Sequence, residues 1–314
     1  MRLKKQLLIL SLFLVLICCL SAVSATGDIE DIASSTDSEI ITEDVQANDV
    51  ISQGDNEEQQ ILEETNEEEL QSSGTEVEAS NWYGIYTAAR STNDQIIRLT
   101  GDSYSANYQI TFNNNATIIG TDSSYITGGS SSLTPFLNTN SALSISFINV
   151  HFKDMTVNNL IQLAGNSRIE NCTFNNIQTG TGQNSIVYNT DGTMTIVGCN
   201  FTNNNVGYGA ITNYKAGSYT AVIMTVDKCR FVNNRASSEP GAINNCGILT
   251  VTDSEFTNNY AALWAGAIHT HYNANTVINN CNFTGNGAGW NGGALYTYST
   301  LTVSNSIFKK IGVC

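Results

Sequence analysis

The stretch Val251-Thr-Asp-Ser-Glu-Phe256-Thr-Asn-Asn259, followed by Gly266-Ala267-Ile268, is one copy of a unit that recurs along the chain. In each copy an aliphatic residue precedes a Phe by five positions, and polar, Asn-rich residues follow. The Phe residues of the copies are Phe174, Phe201, Phe231, Phe256, Phe283 and Phe308, with Phe152 as a looser first member. Successive Phe residues are 22 to 30 positions apart. A period of this length is typical of a stacked repeat protein.

The spacing inside the unit predicts two short strands joined by a tight corner. Residues two apart share one face of a strand, so an uninterrupted strand would place Val251 and Phe256 on opposite faces. The chain must therefore turn between them, three positions before the Phe. All copies but one carry a residue there that tolerates a left-handed backbone. These residues are Asn171, Gly198, Asp253, Asn280 and Asn305, and the exception is Lys228.

A second corner is predicted at the Asn pairs that follow the Phe, such as Asn258-Asn259. Each unit then forms one coil, and stacked coils pair as parallel strands about 4.8 Å apart. The predicted fold is all-β, a right-handed parallel β-helix over residues 81–314. One unit cannot bury its apolar face alone, so several coils in series are needed. A β-sandwich would not repeat Phe and Asn at fixed offsets, and a leucine-rich repeat would show Leu instead.

The first coils are predicted to be less regular. Residues 117–120 and 144–147 have strand character, and the coil motif around them is weak. An exposed end of a solenoid would offer unpaired strand edges to other chains. We therefore expect Trp82 and Tyr83 to cover the open end.

Two segments precede the predicted solenoid. Residues 1–25 combine basic residues, an apolar run over 7–20 and small residues up to Ala25, which is typical of a signal peptide cleaved after Ala25. The apolar run also has about the length of a membrane span, so an uncleaved N-terminal anchor is the alternative. Residues 26–80 hold 18 acidic side chains and no Lys or Arg, and we predict a disordered acidic spacer there.

The charge distribution limits the partners. The whole chain carries a formal net charge of −15, but residues 81–314 hold 10 acidic and 10 basic side chains. A nucleic-acid-binding protein needs a basic face, so we expect no nucleic-acid partner. We expect no cofactor, membrane contact only through the signal or N-terminal anchor, and a monomer.

The repeat is similar to that of a known group of surface proteins. Four copies of Phe-x-x-Asn are each followed by a Gly-Ala-Ile or Gly-Gly-Ala-Leu motif. The motifs begin at Phe201, Phe231, Phe256 and Phe283, and at Gly209, Gly241, Gly266 and Gly292. This pattern resembles the repeat of polymorphic outer-membrane adhesins. With the signal, the acidic spacer and the richness in Asn and Thr, the chain more closely resembles the adhesin-like β-helix surface proteins of methanogenic archaea.

That resemblance covers residues 96–310 and implies a role in surface attachment. The last copy departs from the pattern, because Phe308-Lys-Lys-Ile311 lacks its Asn and the sequence stops at Cys314. We therefore expect a C-terminal cap or anchor to be missing.

A catalytic site is the alternative, because some β-helix proteins cleave polysaccharides. Glycoside hydrolysis usually needs two carboxylates at one groove. The acids that stack near each other are Asp227, Asp253 and Glu255, but the same alignment places Lys228 on Asp253 and Arg230 on Glu255. We predict two ion pairs between coils, each contributing about 0–1 kcal/mol, and no catalytic residue.

An aromatic stripe across neighbouring coils is the predicted ligand-contact surface. Two histidines stand two apart on one strand, as metal ligands would, but the sequence shows no third ligand and tyrosines replace them in the next coil. We therefore predict no metal site. Exposed rings suit contact with sugars or proteins, and the alternative is that the Trp side chains pack on the coil surface. The residues are Trp264, Trp290, His269, His271, Tyr296 and Tyr298.

Cysteines two positions before the Phe form a predicted inward-facing ladder. They are Cys172, Cys199, Cys229 and Cys281. A step of about 4.8 Å is within disulfide reach. Ser254 and Ser306 occupy the same position in other copies, so we predict buried thiols there. The long spacings match no zinc ligand pattern.

Four Asn-x-Thr sequons are candidate glycosylation sites. They are Asn115, Asn171, Asn200 and Asn282. Asn200 and Asn282 directly precede a Phe of the ladder, between two inward positions, so we expect their side chains to point outward.

These features predict a secreted or cell-surface adhesin-like protein that binds a glycan or protein ligand without catalysis. The alternatives are a polysaccharide lyase or glycoside hydrolase on a β-helix, and a purely structural envelope protein.

Overall fold

The computed structural model describes residues 74–217 and 222–313. They form a right-handed parallel β-solenoid with one helix at its start, and every strand pairing is parallel, which confirms the predicted fold class. The predicted signal peptide and residues 26–73 of the predicted spacer lie outside the described residues.

Three sheets run along the solenoid. Sheet A contains β1 (Thr75–Ala79), β2 (Gln95–Leu99), β5 (Ala116–Ile119), β8 (Ser144–Ile148), β11 (Asn166–Glu170), β14 (Gly192–Val197), β18 (Val222–Asp227), β22 (Ile248–Thr252), β26 (Asn275–Asn279) and β30 (Thr300–Ser304). Sheet B contains β3 (Ser103–Ala106), β6 (Tyr125–Gly128), β9 (His151–Val157), β12 (Thr173–Thr179), β15 (Asn200–Thr202), β16 (Asn205–Val206), β19 (Arg230–Val232), β20 (Arg235–Ala236), β23 (Glu255–Thr257), β24 (Tyr260–Ala261), β27 (Asn282–Thr284), β28 (Gly287–Ala288), β31 (Ile307–Lys309) and β32 (Gly312–Val313). Sheet C contains β4 (Ile110–Thr111), β7 (Phe136–Asn138), β10 (Ile161–Leu163), β13 (Val187–Asn189), β17 (Ile211–Asn213), β21 (Ile243–Asn245), β25 (Ile268–Thr270) and β29 (Leu295–Thr297).

Like residues stack on like along the core. The Phe rings from Phe152 to Phe308 lie nearly parallel, with centroids 4.5–5.1 Å apart and interplanar angles of 1–8°. The aliphatic residues five positions before each Phe are in register on sheet A, so that Val226 pairs with Val251 and Val251 with Ile278. This confirms that both strands of the unit face the same core.

The two predicted corners are present. The position three residues before each Phe has a left-handed backbone in all six copies, with φ of 49–62°, and this includes the exception Lys228 at 51°. Asn203, Asn233 and Asn258 form the second corner at φ of 54–57°. The second corner divides the strand that follows the first, which is why β12 pairs with both β15 and β16.

The second Asn of each pair forms a buried hydrogen-bond ladder. Asn204 donates to Asn234 Oδ1 at 2.8 Å, Asn234 to Asn259 Oδ1 at 2.9 Å, and Asn259 to Asn286 Oδ1 at 3.0 Å. Each amide also donates to a Phe carbonyl of the preceding coil, as Asn234 does to Phe201 O at 2.9 Å. The ladder therefore supplies partners for backbone groups that the corner takes out of the sheet.

The solenoid begins earlier than predicted. β1 pairs with β2 over five residues, so residues 75–79 belong to sheet A and not to a disordered spacer. Their alternating pattern ends in buried Ala79, and a strand with an apolar inward face can add to a sheet edge. The predicted boundary at residue 80 is wrong for this segment.

A helix covers the first coil, where the sequence suggested only two aromatic residues. Asn81 is the N-cap of helix α1 (Trp82–Ala89), and its side chain accepts a hydrogen bond from Gly84 N. Trp82 is buried, and its ring centroid lies 5.2 Å from that of Phe136, as expected of a residue that covers the end of the solenoid. Tyr83 is exposed and does not serve this role. The predicted strands of the first coils are confirmed as β5 and β8.

The cysteine ladder is confirmed as buried free thiols. Cys172, Cys199, Cys229 and Cys281 are at most 1% exposed, and no described cysteine is in a disulfide. The backbone N–H of Cys199 points at Cys229 Sγ at 3.4 Å, and the backbone N–H of Cys229 donates to Ser254 Oγ at 3.0 Å. Thiol and hydroxyl thus fill one small inward position alike.

One of the two predicted ion pairs is present. Arg230 contacts Glu255 at 3.0 Å, with both side chains about half exposed. Lys228 pairs with Asp227 at 3.8 Å instead of with Asp253. Asp253 accepts a hydrogen bond from Asn280 of the next coil. None of the helices in the described part of the chain has the length and apolarity to cross a membrane.

Candidate functional site

Five rings from neighbouring coils form one connected aromatic surface beside sheet C. Its members are Trp264, Tyr272, Trp290, Tyr296 and Tyr298. Trp264 meets Tyr296 at 6.3 Å and Trp290 at 6.4 Å between ring centroids. Tyr298 lies 4.9 Å from Tyr296 and stacks on Tyr272 at 4.4 Å. The structure thus brings together four of the predicted ligand-contact residues and adds Tyr272, which the repeat pattern did not include.

Three of these rings reach solvent. Trp290 is 63% exposed, Tyr272 60% and Tyr298 38%, whereas Trp264 and Tyr296 are partly buried beneath them. The two Trp residues therefore differ. Trp264 packs on the coil surface, whereas Trp290 is exposed to solvent. Trp264 forms a β-bridge with Asn291, so Trp290 lies one residue before the position that stacks on Trp264.

The two histidines lie under this surface. His269 stacks in register with Tyr296 on β25 and β29, as the coil alignment predicted. The imidazole rings of His269 and His271 are 4.0 Å apart. His269 is completely buried, so it does not contact a ligand directly, and His271 keeps 21% of its side chain exposed.

A third residue, Glu239, binds both histidines. Its Oε2 accepts from His269 Nδ1 at 3.0 Å and from His271 Nε2 at 2.8 Å. Its Oε1 accepts from the Tyr208 hydroxyl at 2.9 Å. We call Glu239, His269 and His271 the His-Glu cluster. Asn244 Oδ1 lies 2.8 Å from His271 Nε2 at its edge.

Sequence reasoning missed Glu239 because it lies outside the repeat motif. It stands two residues before Gly241, and the strand register makes it the equivalent of Trp264 in the next coil. The sequence does show an isolated acid at the loop position where the next coil carries Trp264, and this difference could have indicated a site. The absence of a third ligand, on which the prediction of no metal site depended, therefore does not hold in the structure.

The electrostatics of the cluster follow from burial and hydrogen bonding. Burial would raise the pKa of Glu239, but the hydrogen bonds from His269 and His271 outweigh it and lower that pKa to about 2. Burial lowers the pKa of His269 more than the bond to Glu239 raises it. At neutral pH the cluster thus holds an ionised carboxylate beside a neutral His269. Imidazole nitrogens and a carboxylate oxygen are metal ligands, and the three ligand atoms lie within 4.8 Å of one another.

The coil geometry is also what the comparison with protein families detects. The family model described as right handed beta helix region matches residues 133–308, more than half of the chain. The chain belongs to this family. No curated protein matches it.

In this beta helix, the three acids of the alternative catalytic interpretation have other partners. Asp227 accepts from Thr252 Oγ1 at 2.6 Å, Glu255 pairs with Arg230, and Asp253 accepts from Asn280. Each carboxylate is used between neighbouring coils on the outer face. These contacts favour the structural interpretation of the three acids.

The sequon residues of the beta helix occupy different settings. Asn282 is exposed and Asn200 partly exposed, with side chains outward as predicted. Asn171 is exposed at a corner, with φ of 51°. Asn115 is engaged, because it donates to Asp94 at 3.0 Å and accepts from Ser144 N at 2.8 Å. Glycosylation itself stays a prediction.

A second aromatic feature lies at the start of the beta helix. A groove of about 510 Å³ is lined by Tyr83, Tyr86, Arg90, Tyr108, Gln109 and Thr111. Thr111 is on the first strand of sheet C and Tyr296 on the last, seven strand steps away. At about 4.8 Å per step, the groove and the aromatic surface are roughly 34 Å apart. The groove contains none of the predicted ligand-contact residues.

Proposed function

We propose that this protein is an exported surface protein that attaches to carbohydrate through its aromatic surface and does not catalyse a reaction. The observation that carries the proposal is the group of connected rings with Trp290, Tyr272 and Tyr298 open to solvent. Large exposed rings in one patch are unusual on a monomeric soluble protein and mark interaction sites.

The chemistry of the patch suits sugars. The apolar face of a sugar ring packs on an aromatic face, while tyrosine hydroxyls and the indole N–H form hydrogen bonds at the rim. The stacked pair of Tyr272 and Tyr298, with an interplanar angle of 17°, offers a platform wider than one ring. The neutral charge balance of residues 81–314 leaves no strong field that would select a charged macromolecule.

The absence of catalysis in this proposal is supported by how the carboxylates are used. Hydrolysis of a glycosidic bond needs an accessible acid and a second carboxylate across the same groove. Glu239 is only 5% exposed and its two oxygens already accept three hydrogen bonds. Export is supported by the N-terminal sequence, and cleavage after Ala25 would leave Thr26 as the first residue of the mature protein, which N-terminal sequencing can check.

Binding to a panel of soluble and insoluble polysaccharides tests the proposal. The decisive variant carries Trp290→Ala and Tyr272→Ala together. Removing two contact aromatics should weaken binding about 30-fold or more, because such residues carry about 2 kcal/mol or more of an interface. Both side chains are exposed, so the thermal unfolding of the double variant should match that of the parent.

Tyr83→Ala is the matched control, since Tyr83 is 65% exposed in the distant groove. Binding should survive this change. If Tyr83→Ala abolishes binding and the double variant does not, attachment belongs to the groove. Product analysis of the same incubations decides on catalysis, and any sustained release of shorter saccharides would contradict the non-catalytic role. Failure to bind any polysaccharide would favour a structural envelope protein.

A further inference from the structure

We propose that the His-Glu cluster is a binding site for one divalent transition-metal ion, held by His269 Nδ1, His271 Nε2 and Glu239 Oε2. This site goes beyond the proposed attachment function and does not depend on it. Zn²⁺ is the probe that the ligand set favours.

The geometry brings three suitable ligand atoms within 4.8 Å of one another. Oε2 of Glu239 is 3.0 Å from one imidazole nitrogen and 2.8 Å from the other. With metal–ligand bonds of about 2.0–2.2 Å, neighbouring ligands in a tetrahedral zinc site are roughly 3.3 Å apart. An ion therefore needs a widening of only a few tenths of an ångström around Oε2.

The proton balance allows this exchange. Each imidazole is neutral when it has one ring proton, and the nitrogen that faces Oε2 carries that proton in the hydrogen-bonded form. When the proton moves to the other ring nitrogen, a lone pair faces the metal and no proton is released from the ring. His269 Nε2 has no hydrogen-bond partner among the described residues, so no second acceptor or donor fixes its tautomer.

The charge of the cluster also suits a cation. Glu239 is buried and ionised, and the hydrogen bonds that its side chain makes in the described structure come from two imidazoles and one phenol. Among the residues described, none of its ion-pair contacts is to Lys or Arg. Buried charges are normally paired or coordinate metals, and a dication would supply the missing positive charge.

The surrounding residues hold the ligands in place. Tyr208 fixes the second carboxylate oxygen of Glu239 at 2.9 Å. His269 is set by the parallel pairing of β25 with β21 and β29. Such outer contacts orient ligands and raise metal affinity. The partial exposure of His271 leaves a side from which the ion can enter and a fourth ligand can bind.

The ligand types narrow the choice of metal. Two imidazoles and one carboxylate suit zinc and the neighbouring ions Co²⁺, Ni²⁺, Cu²⁺ and Fe²⁺. Calcium and magnesium require sets dominated by oxygen and are not expected to bind here.

Equilibrium dialysis of the purified full chain against buffered micromolar Zn²⁺ in a reducing agent, followed by metal analysis, tests the proposal. One equivalent should be retained, and Co²⁺ should give ligand-field absorption without a thiolate charge-transfer band. His271→Ala is the main variant, because its side chain is partly exposed and the fold should tolerate its loss. Its affinity should fall by more than the roughly 100-fold that loss of an outer contact causes, while Tyr208→Phe should lose about 10–100-fold.

His151→Ala is the matched control, because His151 contacts Thr173 at 2.9 Å far from the cluster. It should bind one equivalent as the parent does. Thermal unfolding in a chelator checks that each variant is folded, and Glu239→Gln adds a second ligand test. The proposal is overturned if His271→Ala binds Zn²⁺ as tightly as the parent, if less than one equivalent is retained, or if the Co²⁺ complex shows thiolate bands. Retention of zinc by the Trp290→Ala and Tyr272→Ala double variant separates this site from the attachment surface.

Discussion

The side-chain amide of Asn234 donates to Oδ1 of Asn259 at 2.9 Å, while its own Oδ1 accepts from the preceding coil at 2.8 Å. Each amide in this ladder is thus both donor and acceptor, completely enclosed and in the same orientation. Removal of one member takes hydrogen bonds from both neighbouring coils at once.

Asn234→Ala should therefore be strongly destabilising. It removes the side-chain donor to the Phe201 carbonyl and one of the two acceptors of the Asn204 side-chain amide, which keeps its bond to Phe174 O. Each buried group left unpaired costs about 1–3 kcal/mol. We expect a loss of about 3 kcal/mol in the free energy of unfolding, measured by urea denaturation. Asn233→Gly is the control, because Asn233 is the exposed neighbour and glycine suits its φ of 57°. Equal effects of the two changes would show that the ladder is not what stabilises the corner.

Lys228→Gly should stabilise the protein. Lys228 has a φ of 51°, a conformation that costs about 1–2 kcal/mol for most residues. Its side chain is 70% exposed, so little is lost with it. We expect a gain of about 1 kcal/mol and a higher melting temperature, whereas the β-branched Lys228→Val should lower it. The reverse change, Gly198→Ala, tests the same corner in the preceding coil. It should destabilise, because a Cβ there would overlap Asn171 Oδ1.

The cysteines of the ladder should not react with alkylating reagents in the folded protein. Burial raises the pKa of the Cys199 thiol well above its usual value of 9.0, and hydrogen bonding with Cys199 and burial do the same for Cys229. The thiolate, the reactive form, is therefore scarce. Alkylation followed by mass spectrometry should label both residues in urea and neither in buffer at pH 8. Labelling of the folded protein at the rate of the unfolded chain would contradict the buried position.

The same thiols contribute to the response to alkaline pH. Their folded pKa lies above the unfolded value of about 9, so the protonated thiol favours the fold and its contribution is present below about pH 9. Above that pH the unfolded chain loses protons first, and stability should fall as the pH rises further. Cys229→Ser should reduce this alkaline loss, and Ser254 shows that the position accepts a hydroxyl.

The His-Glu cluster should make the chelated protein sensitive to acid. The folded pKa of Glu239 is about 2, below its ordinary value of 4.5, so its contribution is present above pH 4.5 and is lost as the pH falls towards 2. The folded pKa of His269 is also lowered, so the unfolded chain takes up that proton first and stability starts to fall below about pH 6.5. Urea midpoints from pH 7 to pH 3 measure both.

Glu239→Gln should flatten this profile below pH 4.5, because the amide does not titrate. Glu255→Gln is the control, since it removes an acid from an exposed ion pair and should keep the parental profile. If the two variants decline in parallel with the parent, the acid sensitivity arises elsewhere.

The regular coils were predictable because the same physical constraint acts at each copy. The parity change between Val251 and Phe256 requires a corner, and the residue types at Asp253 and Asn258 permit one. The Phe, Asn and Cys ladders follow directly from stacking like on like. Lys228 shows the limit of residue preference, because the coils on either side impose a left-handed corner on a residue that disfavours it.

The site was less predictable because part of it is made by loops. Glu239, Trp264 and Trp290 lie between strands, where no stacking rule fixes the side chain. Helix α1 and β1 belong to the first coil that the structure describes, so no earlier described coil shows their pattern. Their signals were local, namely the N-cap Asn81 and the alternation from Thr75 to Ala79, and single local signals are weak beside a repeat.

The parallel stacking makes the distance between two features on different coils proportional to the number of coils between them. Since each regular coil offers its neighbour the same Phe, Asn and aliphatic edge, one regular coil inserted or removed would leave the other interfaces chemically unchanged. The groove near Tyr83 and the rings around Trp290 would then move apart or together by about 4.8 Å per coil. Two recognition features on one chain can in this way be set to the spacing of a repeating target by changing coil number alone.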